Sequence, residues 1–211
     1  MNSVAEPMTE GVASVRFVDD PTSLSVLRQP DCAAAIWRRK MPPAIHTWLE
    51  QLKPVHLPHG RVTVPVDSVE QAVGHLFDIA EMPEGEARDW LQTDITDLAT
   101  LFADLMAVGY LRLRLDVVAN NACRKFHIDA VTARMVCTYR GSGTQYGVSA
   151  NGQDPHVVLE AATGAPIFLR GTMWPENPPS GVRHRSPPIE GTGETRLVLV
   201  LDPILDIEDE V

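Results

Sequence analysis

Two histidines, an aspartate and an arginine carry the chemical interest of this chain. His127 and Asp129 stand two apart in Lys125-Phe-His-Ile-Asp129, and a second histidine follows much later in Val182-Arg-His-Arg-Ser-Pro-Pro188. Arg196 then opens the run Arg196-Leu-Val-Leu-Val-Leu-Asp202. Residues i and i+2 of a strand project from one face, so the His127 imidazole and the Asp129 carboxylate would point together. Their neighbours Phe126, Ile128 and Ala130 are apolar and would face the other way. Two imidazoles and one carboxylate brought together make the facial triad that holds Fe(II) in non-haem oxygenases, with further metal positions left open. An arginine buried beside such a centre offers a two-donor fork to the far carboxylate of 2-oxoglutarate. Blander readings compete residue by residue. His127 and Asp129 also suit a hydrogen-bonded pair without metal. His184 suits a loop histidine that helps bind an anion beside Arg183 and Arg185, and Arg196 an ion-pairing residue at a strand start.

The elements that must position these residues change character at Gly109. Before it the chain reads mostly helical. Ala33–Trp48 mixes apolar and basic residues around Pro42-Pro43, with Trp37 and Trp48 as core anchors, and Pro54–Pro65 is rich in turns. Asp67 or Ser68 caps a segment whose apolar residues Val69, Val73, Leu76, Phe77 and Ala80 recur at helical spacing. After Pro83-Glu-Gly85, Leu91, Ile95, Leu98, Phe102 and Leu105 form one stripe, with Glu86 and Asp89 at the positive end of the dipole and Gly109 as its stop. From Leu111 the period becomes 2: Leu111, Leu113, Leu115 and Val117 alternate with Arg112, Arg114 and Asp116, a half-buried strand. Further strands are expected over Lys125–Tyr139, His156–Glu160, Pro166–Leu169, Val182–Ser186 and Arg196–Asp202, with a hairpin turn at Gly141-Ser-Gly143. Helices followed by many short strands give an α+β protein whose second half is a sandwich, jelly roll or barrel.

In order and spacing, His127-x-Asp129, His184 and Arg196 resemble the double-stranded β-helix (cupin-like) Fe(II)/2-oxoglutarate dioxygenases, especially the prolyl-hydroxylase-like branch. More local strings resemble the bacterial family called domain of unknown function 1826. They are Phe126-His-Ile-Asp129, Val136-Cys-Thr-Tyr-Arg-Gly-Ser-Gly-Thr144, Arg170-Gly-Thr-Met-Trp-Pro175 and His184-Arg-Ser-Pro-Pro188. The resemblance covers residues 110–203. It implies an N-terminal helical layer over 1–109 packed on a double-stranded β-helix over 110–211, as one integrated domain. It also implies Fe(II) ligation by His127, Asp129 and His184, with 2-oxoglutarate as co-substrate and Arg196 on its carboxylate. Tyr139 and Thr138, on the strand after the acidic ligand, are further carboxylate partners in this reading. The interval from His184 to Arg196 calls for a bulge or longer turn across Pro187–Gly193. Activity would be hydroxylation of a small-molecule or protein substrate that the residues do not identify. The same site also suits Zn(II), which a generic N/O site binds more tightly than ferrous iron. In that alternative the protein is a non-redox accessory of metal homeostasis.

Composition bounds these readings. The chain has 211 residues, 44% hydrophobic and 22% charged, which is globular usage. Its net charge of −10, from 18 basic and 28 acidic residues, argues against nucleic acid or an anionic membrane as partner. Acidic Met1–Glu10 does not read as a signal peptide, and Cys32, Cys123 and Cys137 lack a metal-finger spacing, so a cytoplasmic setting is expected. Cys123 and Cys137 flank the ligand pair closely enough to touch a metal site, and buried structural cysteines are the preferred reading. His56 and His59 offer a rival zinc loop without a third ligand at spacing, so a surface turn is expected there. Trp174 reads as core or as the wall of a substrate entrance, Asp206–Val211 as a frayed acidic tail, and a homodimer is the base-rate expectation.

Overall fold

In the computed structural model the described residues are 14–149, 152–175 and 180–205, so the expectations for Met1–Glu10 and Asp206–Val211 lie outside them. The chain begins with strands β1 (Ser14–Val18) and β2 (Cys32–Trp37), separated by a 3-10 helix over Pro21–Arg28. Helix α1 (Pro43–Gln51), strand β3 (Gly60–Pro65) and helices α2 (Val69–Ile79) and α3 (Glu86–Met106) follow. The remaining strands are β4 (Tyr110–Val118), β5 (Ala133–Arg140), β6 (Gln145–Val148), β7 (Leu159–Glu160), β8 (Ile167–Arg170), β9 (Val182–Arg185) and β10 (Arg196–Ile204). No helix among the described residues is long and apolar enough to cross a membrane.

The apolar stripe of α3 is fully buried at Leu91, Ile95, Leu98 and Phe102. The helix ends at Met106, three residues before Gly109. Ala107 takes the left-handed conformation (φ +55) instead, and Val108 N–H reaches back to the Ala103 carbonyl. The first half differs from its mostly helical reading because it also supplies β1, β2 and β3. In β2, Cys-Ala-Ala-Ala-Ile is buried on both faces, and a short apolar run of that kind has no period that separates strand from helix. β3 alternates exposure residue by residue, although Pro54–Pro65 reads as turns.

Two sheets result. The larger has seven strands in the order β1-β2-β8-β5-β10-β4-β3, and the smaller has three, β7-β6-β9. The pleat of β10 sorts the core into two layers: Leu197, Leu199 and Leu201 pack with the helices, whereas Val198 and Val200 face the smaller sheet. The expected hairpin at Gly141–Gly143 is instead a corner, since β5 lies in the larger sheet and β6 in the smaller. Gly141 has φ +75, and a Cβ on Gly143 would lie 1.7 Å from the Ala161 carbonyl oxygen, so backbone passes where no side chain fits.

Candidate metal centre

Strand β9 and the segment between β4 and β5 bring the triad together. His127 forms an isolated antiparallel bridge to His184, with His127 N–H to His184 O at 3.1 Å and His184 N–H to His127 O at 3.0 Å. The strand expected over Lys125–Tyr139 is therefore only this bridge followed by irregular chain, and regular pairing starts at Ala133. Asp129 reaches the site from the irregular part, not by strand alternation. His184 Nε2 lies 3.0 Å from Asp129 Oδ2, His127 Nε2 lies 3.5 Å from Asp129 Oδ1, and one ligand atom from each of the three residues falls within 4.8 Å of the others. This is the one such cluster of histidine, cysteine and carboxylate groups among the described residues.

Three features suit a metal. Ligand atoms about 2.1 Å from one octahedral ion sit about 3 Å apart, the scale found here. His127 Nδ1 lies 2.8 Å from the Lys125 carbonyl, an arrangement that puts its proton on Nδ1 and leaves the Nε2 lone pair free. Asp129 Oδ2 is buried without an aligned hydrogen bond while His184 Nε2 is 3.0 Å away, so two potential ligand atoms face each other. Burial opposes ionisation of Asp129, but His127, His184 and Arg134 outweigh it and hold the carboxyl well below the usual carboxylate range. The Asp129 carboxylate in turn raises His127 above the ordinary histidine value, against a smaller opposing effect of burial.

Arg134 was not singled out by the sequence. From β5 it grips Asp202 of β10 through Nε and Nη2, each 2.7 Å from one carboxylate oxygen, and its Nη1 donates to Asp129 Oδ1. Oδ1 is thereby engaged from behind, and Oδ2 is left for the histidine side. The alternation of β5 would have placed Arg134 on the face of Val136 and Thr138, but nothing in the sequence names Asp202 as its partner.

Arg196 lines the same cavity of about 100 Å³ as His127, His184 and Arg134. Only 1% of it is exposed, and among the described residues no carboxylate forms an ion pair with it. Its Nε donates to Ser142 O at 2.7 Å, Nη1 to Ser186 Oγ at 3.1 Å and Nη2 to Thr138 Oγ1 at 3.2 Å. Burial lowers its pKa below the ordinary guanidinium value, because desolvation disfavours the charged form. A turn carrying Gly191 and Gly193, both at φ +82, and a register shift between Leu197 and Val198 realign the arginine, as the His184–Arg196 interval requires.

Thr138 thus touches Arg196 directly. Tyr139 does not: it points to the helix side, fully buried, and its hydroxyl donates to Asp94 Oδ2 at 2.6 Å, beside the Arg39–Asp94 ion pair. This corrects its assignment as a carboxylate partner, because successive residues of a strand face opposite ways. Cys137 is buried as preferred, whereas Cys123 is exposed and lines the same cavity as His127 and His184, the alternative open for it. His56 Nδ1 lies 3.3 Å from the Ala80 carbonyl, and His59 belongs to a different groove. Trp174 stacks on the buried Arg170, 4.5 Å from guanidinium carbon to ring centre, so it is a packing residue.

A sequence model of the family described as "Protein of unknown function (DUF1826)" matches residues 18–202. No curated protein matches the chain. Among solved structures, it is similar to the dioxygenase for auxin oxidation 1 of Arabidopsis thaliana in its 2-oxoglutarate binary complex. That match has 9% identity and a TM-score of 0.57, and covers 92% of each chain. A dioxygenase for auxin oxidation from rice matches with 12% identity and a TM-score of 0.49, over 93% of this chain and 84% of that one. A Pseudomonas putida prolyl-4-hydroxylase matches with 14% identity and a TM-score of 0.44, over 87% and 98% respectively. The Arabidopsis likeness shows the fold, a double-stranded β-helix.

Proposed function

The chain belongs to the DUF1826 family, and we propose that it is a non-haem Fe(II)- and 2-oxoglutarate-dependent oxygenase that hydroxylates an organic substrate. The observation that carries this reading is that His127 and His184, which cluster with Asp129, line one cavity with the buried Arg196, which forms no ion pair among the described residues. A plain zinc site has no use for that arginine. His127, Asp129 and His184 would hold the metal, and Arg196 the far carboxylate of 2-oxoglutarate. The bound metal and co-substrate supply an oxidation in which dioxygen, 2-oxoglutarate and R–H give succinate, carbon dioxide and R–OH, one oxygen atom entering succinate and the other the hydroxyl.

The chain's own residues do the positioning. Arg134 restrains Asp129 through Oδ1, and the Lys125 carbonyl fixes the tautomer of His127. Ser142, Ser186 and Thr138 aim the Arg196 fork while Val136, Val198 and Val200 exclude water around it. The test is an anaerobic titration of metal-free protein with Fe(II) and 2-oxoglutarate, followed through the visible metal-to-ligand charge-transfer band. A band that is lost in His184→Ala is the expected result. Iron binding without the band would remove the 2-oxoglutarate assignment and leave a metal-binding accessory, with zinc as the alternative ion.

A further inference from the structure

Beside the metal cavity lies a larger groove of about 620 Å³ that shares Arg114 and Asp116 with it. Its lining includes the apolar Pro54 and Val55 together with His59, Arg61 and Arg114. Arg61 and Arg114 are register partners across the β3–β4 pair. Like charges directly opposite one another on a sheet destabilise the pairing. The face that carries them is open: Val62, Val64, Leu113 and Leu115 turn to the helices, and no residue of β3 or β4 joins the core between the two sheets. Asp116, the one carboxylate among the described residues that line the groove, lies 2.9 Å from Arg114 Nε and offsets one of the two cations. A local excess of positive charge thus stands beside the cavity of the histidine cluster in a chain whose net charge is −10. An arginine pair repelling across a strand boundary becomes favourable when an anion lies between its members.

We infer that this groove is the substrate site and that the substrate is an amphipathic organic anion. Its carboxylate or phosphate group lies between Arg61 and Arg114, and its apolar body lies on Pro54 and Val55. This assignment rests on the oxygenase reading of the neighbouring cavity. It also gives Asp116 a function, since a carboxylate on one side of Arg114 turns the remaining donors toward the groove.

The test uses the full chain loaded with Zn(II) and saturating 2-oxoglutarate, so that Arg196 is already engaged. Binding of octanoate, octyl phosphate and octanamide is measured by calorimetry at low and high salt. At least one of the anions is expected to bind about tenfold more tightly than octanamide, with the advantage shrinking as salt rises. Preference for one anion alone names the head group. Arg61→Glu, at an exposed position, is expected to erase the advantage, and Arg61→Lys to keep part of it. Equal binding of octanamide, or an unchanged anion preference in Arg61→Glu, overturns the assignment. The Fe(II)–2-oxoglutarate band of the same wild-type preparation separates the two failures. A band without anion preference removes only the substrate site, whereas absence of the band removes the oxygenase reading beneath it.

Discussion

Arg134 holds both oxygens of Asp202 at 2.7 Å and with its third nitrogen reaches Asp129, so two adjacent strands jointly fix one carboxylate of the candidate metal cluster. A bidentate arginine is planar and directional, which a lysine cannot reproduce. Arg134→Lys should therefore lower Zn(II) affinity about 10- to 100-fold, the usual cost of losing a partner behind a ligand. Asp202→Asn should move it in the same direction. Competition with a chromophoric chelator measures both, and an unchanged affinity in both variants would show that Asp129 is oriented without help.

Removing a ligand differs from removing the co-substrate anchor. Asp129→Ala and His127→Ala should abolish metal binding, while Arg196→Ala should keep the metal and weaken 2-oxoglutarate by at least about tenfold. Arg196→Lys, which retains a cation in the same buried place, guards against a purely structural effect. Metal retained in Asp129→Ala would falsify the ligand assignment.

Acid should weaken the metal-free protein through Asp129. Its carboxyl sits below the usual range when folded, so the ionised form contributes stability above about pH 4, and that contribution drains away as pH falls toward the depressed folded value. His127 works in the opposite sense. Raised when folded, it contributes below about pH 6.5 and loses that contribution as pH climbs through its higher folded value. Urea midpoints at several pH values should show a steeper acid limb for the native chain than for Asp129→Asn. Parallel limbs would contradict the electrostatic account.

The corner between the sheets has no room for a side chain. Gly143→Ala would drive a Cβ into the Ala161 carbonyl and should cost about 1–3 kcal/mol or more in denaturant unfolding. Gly191→Ala, with φ +82 but nothing within 4 Å, should cost only about 1 kcal/mol. Equal costs would mean that conformation, not the close approach, sets the requirement at Gly143.

Residue type and order alone marked out His127, Asp129, His184 and Arg196, because metal ligands and a carboxylate fork have few chemical substitutes. Local periodicity likewise revealed α3 and β4, whose burial is one-sided and therefore leaves a pattern. β2 was hidden for the converse reason: it is covered on both faces, and Cys-Ala-Ala-Ala-Ile has no alternation to read. Strand logic also misplaced the aspartate. It predicted that Asp129 shares a face with His127 by alternation, yet Asp129 arrives from irregular chain and is aimed by Arg134 and Asp202, which lie far from each other in sequence. Alternation sorts Thr138 toward Arg196 and Tyr139 toward Asp94, but which face looks into the cavity depends on where the helices lie. The groove beside the metal cavity is the extreme case. Arg61 and Arg114 belong to opposite sides of the helical segment, and only the antiparallel register of β3 with β4 sets them opposite each other, since strand pairing is a long-range contact that no local pattern encodes.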